Sequence, residues 1–459
     1  MLRFPKSIFF SQLWLRRSYW NSELKRKTSF PFALHSFFRN FALMRMNNIA
    51  IYTLTSELHD KEAVAGLTRE FLDSLHIEYT FRDNDFSDFG SHDLDLIYVR
   101  TGGTENVFLR LLPQLQTLSS RPFFLLTSGK SNSLAASMEI LSFLQQHGLR
   151  GEIIHGDSEY IRTRISLLTQ VAQASRRLQG IRLGIVGQPS DWLIASHADK
   201  ESVRRLLGIE LVDIPMQELL ETIADTPLCQ EMTEQAPDDN IRQALPGAHQ
   251  IYDALKALVG RHHLQGFTLR CFDLLTAVHN TGCLALARLN AEGIVAGCEG
   301  DVPALITMTL VNALTGVSGF QANPSSIDPA TGTIVFAHCT IPLNMVSRYE
   351  LDTHFESSIG VGIRGFMAEG PVTIFKVDGR LERFFIAEGT LLHNESKPDL
   401  CRTQQVVRLA DPAQAAYFLT HPIGNHHIIV PGHHKPLLEE ITKHLSLPGA
   451  DLQELSIKV

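Results

Sequence analysis

At 459 residues, with 44% apolar and 20% charged side chains, the chain is long enough for two to four domains and too apolar for wholesale disorder. It contains no uninterrupted apolar run of about eighteen residues, which argues against a membrane-spanning helix. A formal net charge of −8 argues against a general nucleic-acid binder, which needs a net basic face.

The charge is unevenly spread. Residues 1–45 hold nine basic side chains and one acid, Glu23, so this extension carries +8 and the rest of the chain −16. Eight of the 26 Phe residues also lie there, without helical or strand periodicity. Two readings stay open: a transit-like leader, or translation beginning at Met44 or Met46, just before the first convincing strand, Ile49–Thr53. Either way the segment is set apart from the fold. The six cysteines include no C-x-x-C pair, and most sit in apolar runs. Free buried thiols, and hence a reducing cytoplasmic setting, are expected.

Residues 46–155 alternate strand-like and helical runs. Ile49–Thr53 is followed by helical spacing over Lys61–Leu75 (Val64, Leu67, Phe71, Leu75), then by the apolar run Leu96–Val99. Val107–Leu112 reads as a short helix, interrupted or kinked at Pro113. Phe123–Thr127 is a strand and Ser133–His147 a helix. This alternation implies a parallel sheet with crossover helices, a first Rossmann-like domain.

Residues 156–315 repeat the pattern as a second such domain. Helices are expected over Tyr160–Leu178, Lys200–Leu207, Met216–Thr222, Tyr252–Gly260, Thr281–Ala291 and Val302–Thr315. Strands are expected over Arg182–Val186, Glu210–Ile214, Gly266–Cys271 and Ile294–Cys298, and residues 223–245 read as an acidic surface excursion. Residues 316–459 differ. Thr333–His338, Val361–Met367, Pro371–Val377 and Leu381–Leu391 are strand-like and separated by turn signals, before a last strand, His427–Val430, and helix, Lys435–His444. The fold class is therefore α/β: two Rossmann-like doubly wound domains followed by a β-barrel-like antiparallel C-terminal domain.

Ligands of an open α/β sheet gather beyond the carboxyl ends of its strands. Glu299-Gly300-Asp301 is the most charged of these strand ends. Asp301 is placed to cap the helix starting at Val302, which leaves Glu299 without a structural excuse. Among 20 histidines, His338 ends an apolar strand and His426 opens another. Together with Glu299 they form an oxygen- and nitrogen-rich set suited to a divalent metal. Thr101–Glu105 lacks both the dinucleotide fingerprint and a phosphate-loop lysine, and no G-x-S-x-G, H-E-x-x-H or zinc ribbon occurs.

Several motifs in order resemble the L-fucose/L-arabinose isomerase family, in its shorter fucose isomerase-like branch. They are Asp191-Trp192-Leu193-Ile194, Cys298-Glu299-Gly300-Asp301, Gly319-Phe320-Gln321-Ala322-Asn323, Phe336-Ala337-His338-Cys339, Thr353-His354-Phe355-Glu356-Ser357 and Gly424-Asn425-His426-His427. The resemblance implies a site between the last two domains, a homo-oligomer (trimer or hexamer), a small sugar substrate and a divalent cation, usually Mn²⁺. It implies an aldose–ketose isomerase acting through a cis-enediol. By motif, Glu299 is the metal-binding carboxylate and candidate base, and His426 is the C-terminal histidine ligand. His338 is a further histidine of the site, expected at the substrate with Arg270 and His354. The family's second carboxylate falls at Asn323, whose amide oxygen can ligate a cation but accepts no catalytic proton. Asp301 and Asp328 are the carboxylates that would compensate, Asp328 reading as a turn cap. The alternative function is a sugar-binding paralogue that has lost the proton shuttle.

Overall fold

The computed structural model describes residues 48–57, 59–228, 236–445 and 453–454. The basic extension and Cys229 lie outside the described residues. Strand β1 (Ile49–Leu54) sits inside a five-stranded parallel sheet of order β2-β1-β3-β4-β5, with β2 Thr80–Asp83, β3 Leu94–Val99, β4 Phe123–Leu126 and β5 Gly151–Ile154. Both faces are covered, as near-continuous apolar strands require. Ile49, Ile51, Leu96 and Leu126 pack on α1 (Lys61–Ser74) and on the first half of α4 (Ser158–Leu178). Tyr52, Leu54, Ile97 and Leu125 pack on α2 (Glu105–Leu118) and α3 (Ser133–Gln146).

Of the two outcomes expected at Pro113, interruption is excluded. Helix α2 runs through the proline and on to Leu118. Proline removes one bond to the carbonyl four residues back, that of Leu109, a residue on the exposed side where water can serve it. Phe108, Leu112 and Leu115 meanwhile bury on the sheet from both sides of the proline. Tertiary packing outweighs the local break.

The second parallel sheet has order β7-β6-β8-β9, from β6 (Arg182–Val186), β7 (Glu210–Ile214), β8 (Gly266–Leu269) and β9 (Val295–Cys298). Helices α5 (Lys200–Leu207), α6 (Met216–Asp225), α7 (Asp239–Arg261), α8 (Phe272–Ala277), α9 (Cys283–Ala291) and α10 (Val302–Thr315) connect or flank it. The excursion expected over 223–245 is shorter than its composition implied. Asp238 accepts a hydrogen bond from the amide of Ile241 and starts α7, and Ile241 and Leu245 bury in the barrel core. Residues 229–235 of that stretch are not among those described. The second half of α4 (Val171, Ala174, Leu178) joins the core of this sheet, so one long helix serves both.

Six strands then close an antiparallel barrel in the order β14-β17-β10-β11-β16-β15, sealed by β14–β15 pairing. They are β10 (Phe320–Asp328), β11 (Thr333–His338), β14 (Gly370–Val377), β15 (Arg383–Glu395), β16 (Thr403–Leu409) and β17 (His427–Pro431). Strands β12 (Arg348–Asp352) and β13 (Gly362–Phe366) form a separate ribbon. Phe320, Ile334, Phe336, Phe385, Val407 and Ile429 fill the barrel with Tyr417 and Phe418 of α11 (Ala415–Thr420). Helix α10 is apolar on almost every side because it lies between the second sheet and the barrel wall, against Phe375, Val377, Ile428 and Val430. Its N-terminus, next to the end of β9, therefore faces the seam between the two layers.

Candidate metal centre

The seam is built outward from the end of β9. After Cys298 the chain turns sharply: Glu299 has φ +63° and Gly300 φ +69°. A left-handed non-glycine residue stores strain of about 1–3 kcal/mol unless its surroundings hold it there. Here they do. The Glu299 carbonyl accepts the Ser190 amide at 2.9 Å, and the Gly300 amide donates to Leu269 at 3.0 Å. Any side chain at Gly300 would collide with the Gln188 carbonyl.

The turn aims the Glu299 carboxylate at two imidazoles. His338, at the end of β11, brings Nε2 to 3.4 Å from Oε1, and His426, just before β17, brings its own Nε2 to 3.4 Å from the same oxygen. One ligand atom of each of the three residues lies within 4.8 Å of the others, and all three are buried. His426 Nε2 and His338 Nδ1 have no hydrogen-bond partner. Buried polar atoms left bare in this way are costly, and a cation in their midst would satisfy the nitrogen lone pair that faces it. The donor set of one carboxylate and two imidazoles fits a divalent transition metal.

A second layer orients the first. His426 Nδ1 lies 2.8 Å from Asp301 Oδ2, while Asp301 Oδ1 accepts the Ala304 amide at 2.8 Å and caps α10. The expected cap is present, and its second oxygen holds a histidine. In the neutral imidazole, Nδ1–H donates to Asp301 and the bare Nε2 faces Glu299. Lys376 of β14, fully buried, stands 3.8 Å from Asp301 Oδ2. On the other side, the Trp192 indole N–H donates to Glu299 Oε2 at 2.7 Å.

The electrostatics follow this arrangement. Burial works to raise the pKa of Glu299, but the His426 charge and the close approach of the His338 and His426 rings outweigh it and hold the carboxylate well below its usual range. Burial works to lower His426; the Glu299 charge and the hydrogen bond to Asp301 prevail, and its pKa is pushed up to about 9. Asp301, opposed by burial, is held low by Lys376 and His426, whereas burial dominates Lys376 and lowers it.

The other expected residues are distributed around this centre. Pairing of β10 with β17 ends at Ala322 opposite His427; Asn323, the next residue, pairs with Ala337 of β11, and its Oδ1 accepts from the Asn425 amide nitrogen at 3.0 Å. His354 is buried in the loop after β12, bonded to Ser357, with its pKa lowered to about 4 by burial and the His338 charge. Its ring packs edge-on against Phe272, which packs edge-on against Trp192. The Arg270 guanidinium is engaged by Asp191, Asp273 and the Pro189 carbonyl, and so pins the loop that carries Trp192. Asp328 bonds the Ala330 amide and the Thr331 hydroxyl, the turn cap expected of it. Sequence reasoning assigned no role to Trp192 or Lys376. A lysine inside the apolar strand Pro371–Val377 was the one available signal for the latter.

No known protein-family model matches the chain. It is similar to the sulfoquinovose isomerase of Clostridium sp. (strain MSTE9), 26% identical over 274 residues, which cover 55% of this chain and 60% of that protein. The sulfoquinovose isomerase of Priestia aryabhattai is 22% identical over 307 residues, 63% of this chain and 69% of that protein. That of Alkalicoccus urumqiensis is 18% identical over 238 residues, 48% and 53% of the two chains. The match thus spans about three-fifths of the first relative's length. The chain is a distant relative of sugar isomerases, with a buried Glu–His–His group able to hold a metal ion.

Proposed function

We propose that this protein is a divalent-metal-dependent aldose–ketose isomerase acting on an unphosphorylated sugar, with a sulfonated aldose such as sulfoquinovose as the first substrate to test. The observation that carries this reading is the convergence of Glu299, His338 and His426 from three distant stretches of chain, with bare imidazole nitrogens, in a relative of sugar isomerases.

Isomerisation moves a hydrogen from C2 to C1 and a hydroxyl proton from O2 to O1 through a cis-enediol. A C–H beside a carbonyl is a weak acid, so the site must stabilise negative charge on the substrate oxygens and present a base. In this reading Glu299, His338 and His426 hold the cation, Mn²⁺ or a similar ion, and Asn323, bonded to Asn425 beside His426, completes its shell. Bound there, the cation would supply Lewis-acid stabilisation of adjacent substrate oxygens. Asp301 keeps His426 in the tautomer that presents Nε2. Trp192 holds the second oxygen of Glu299, and Arg270 positions the Trp192 loop. His354, kept neutral by burial, is a hydrogen-bonding group for a sugar hydroxyl. A homo-oligomer and a cytoplasmic setting belong to the same proposal, the latter supported by the free thiols of Cys271, Cys283, Cys298, Cys339 and Cys401.

The test is incubation of the Mn²⁺-loaded protein with sulfoquinovose in D₂O, followed by proton NMR. Loss of the C2 proton signal together with ketose formation is expected. Asn323 favours a second reading, a sugar-binding paralogue without catalysis, which would give calorimetric sugar binding and no exchange.

A further inference from the structure

The centre has one side open to water. Glu299, Asp301, His338 and His426 are buried, whereas Trp192, whose indole N–H donates to Glu299 Oε2 at 2.7 Å, is 50% exposed. Among the described side chains bonded or ion-paired to Glu299, Trp192 alone reaches solvent to this extent.

That exposure is not looseness. The indole edge is fixed on Glu299, and the ring meets Phe272 edge-on with centroids 4.7 Å apart. Phe272 in turn meets His354 edge-on at 5.4 Å, so an aromatic wall runs from Glu299 to His354. The loop is pinned on both flanks. Arg270 holds the Pro189 carbonyl and the Asp191 carboxylate, and Leu193, the next residue, is buried and donates its amide to the Ser190 carbonyl at 2.9 Å. Leu193 takes the position in the core, and the larger and more apolar surface of Trp192 is held rigidly in water. An indole fixed by its N–H with a ring face left bare is suited to receive an apolar surface there. Small-molecule sites combine such aromatic area with a few converging polar groups, which Glu299 and its histidines supply. A sugar matches both parts, since its ring carries C–H groups on its faces and hydroxyls around its edge.

We propose that the open face of Trp192 is the platform on which the sugar ring lies, its C–H face on the indole and its hydroxyl edge turned toward Glu299. This assignment rests on the isomerase reading above. It gives Trp192 two separable tasks: the N–H orients a metal-binding carboxylate, and the ring face binds substrate.

The test separates them with two substitutions. Trp192→Gln keeps an N–H donor and removes the ring; Trp192→Phe keeps an aromatic ring and removes the donor. Mn²⁺ affinity, and sulfoquinovose affinity of the Mn²⁺-loaded protein, are read by calorimetry. Trp192→Gln should weaken sulfoquinovose binding by roughly 10- to 100-fold while Mn²⁺ affinity stays within about threefold. Trp192→Phe should keep sulfoquinovose affinity within about fivefold, any larger loss falling on Mn²⁺. Wild-type sugar affinity in Trp192→Gln overturns the platform, as does an equal sugar loss in both variants, which would make the N–H alone responsible. A second measurement leaves residue 192 intact. Trp192 is one of three tryptophans, the others being Trp14 and Trp20, so in the full chain carrying Trp14→Phe and Trp20→Phe it is the sole indole fluorophore. Acrylamide should quench it freely without sugar and at least threefold less at saturating sulfoquinovose. Quenching unchanged at calorimetric saturation overturns the platform, and so does an indole already shielded without sugar. In each of these cases persisting C2 exchange in D₂O leaves the isomerase reading standing. A Mn²⁺-loaded wild-type protein that neither binds sulfoquinovose nor exchanges its C2 hydrogen overturns that reading for this sugar, and the platform with it.

Discussion

Asp301 serves two masters with its two oxygens: Oδ1 caps helix α10 at the Ala304 amide, and Oδ2 holds His426 Nδ1 at 2.8 Å. The helix that joins the second sheet to the barrel and the ring that faces Glu299 are therefore set by a single carboxylate.

Asp301→Asn keeps a capping oxygen but turns an amide N–H₂ toward His426 Nδ1, forcing the ring into the tautomer that protonates Nε2. Mn²⁺ affinity should fall by about 10- to 100-fold. The change also strips Lys376 of its partner, and breaking a buried pair costs on the order of 3–5 kcal/mol. Adding Lys376→Met should restore much of the stability by urea denaturation without restoring Mn²⁺ affinity. If both recover together, Asp301 acts on the fold alone.

The pH dependence has a definite sign. His426 in the folded, metal-free protein titrates at about 9, above its ordinary 6.5. Its contribution to metal-free stability is thus fully present below 6.5 and is lost as pH climbs through 9. Mn²⁺ requires the neutral ring, so its apparent affinity should rise by up to about tenfold per pH unit across that interval and flatten above it. Melting curves with and without Mn²⁺ should accordingly diverge as pH increases; a gap that does not widen contradicts the assignment of His426 as a ligand.

Asn323→Asp adds an anion beside Asn425, the neighbour of His426, where the Asn425 donor can still be satisfied. Mn²⁺ binding should tighten by about tenfold or more, because charge is what the amide lacks as a ligand. An unchanged Kd by titration calorimetry would place residue 323 outside the shell.

Far from the centre, Arg164 of α4 bridges Glu152 at the end of the first sheet and Glu440 of the C-terminal helix α12 (Lys435–Leu445). Glu440 is nearly fully buried. Arg164→Met removes the guanidinium that both carboxylates share, while Glu440 keeps Lys443 at 3.9 Å, and should destabilise the protein by about 1–3 kcal/mol. Mn²⁺ affinity should not change, since no ligand lies on these elements.

How much of this was legible in the sequence depended on the kind of signal. Arg182–Val186, Lys200–Leu207, Val302–Thr315 and Thr333–His338 have their observed limits because periodicity and end signals coincide there. Strand β10 was not legible, because Pro324, Ser325 and Ser326 read as a loop; the structure accommodates them with a bulge in its pairing with β11. Strand β16 hid behind Gln404 and Gln405, polar residues buried in the barrel wall by strand pairing. Glu299, His338 and His426 stood out as strand-end residues. Their convergence did not, since it depends on how the barrel docks against the second sheet, and Trp192 and Lys376 reach the centre by that docking alone.

The most direct test is anomalous X-ray diffraction at the manganese edge from crystals soaked in Mn²⁺. A single strong peak about 2–2.3 Å from a Glu299 carboxylate oxygen and from a ring nitrogen of both His338 and His426 is the predicted result. A peak bound elsewhere, or none at that position under conditions where calorimetry shows saturation, would contradict the metal centre on which the function rests.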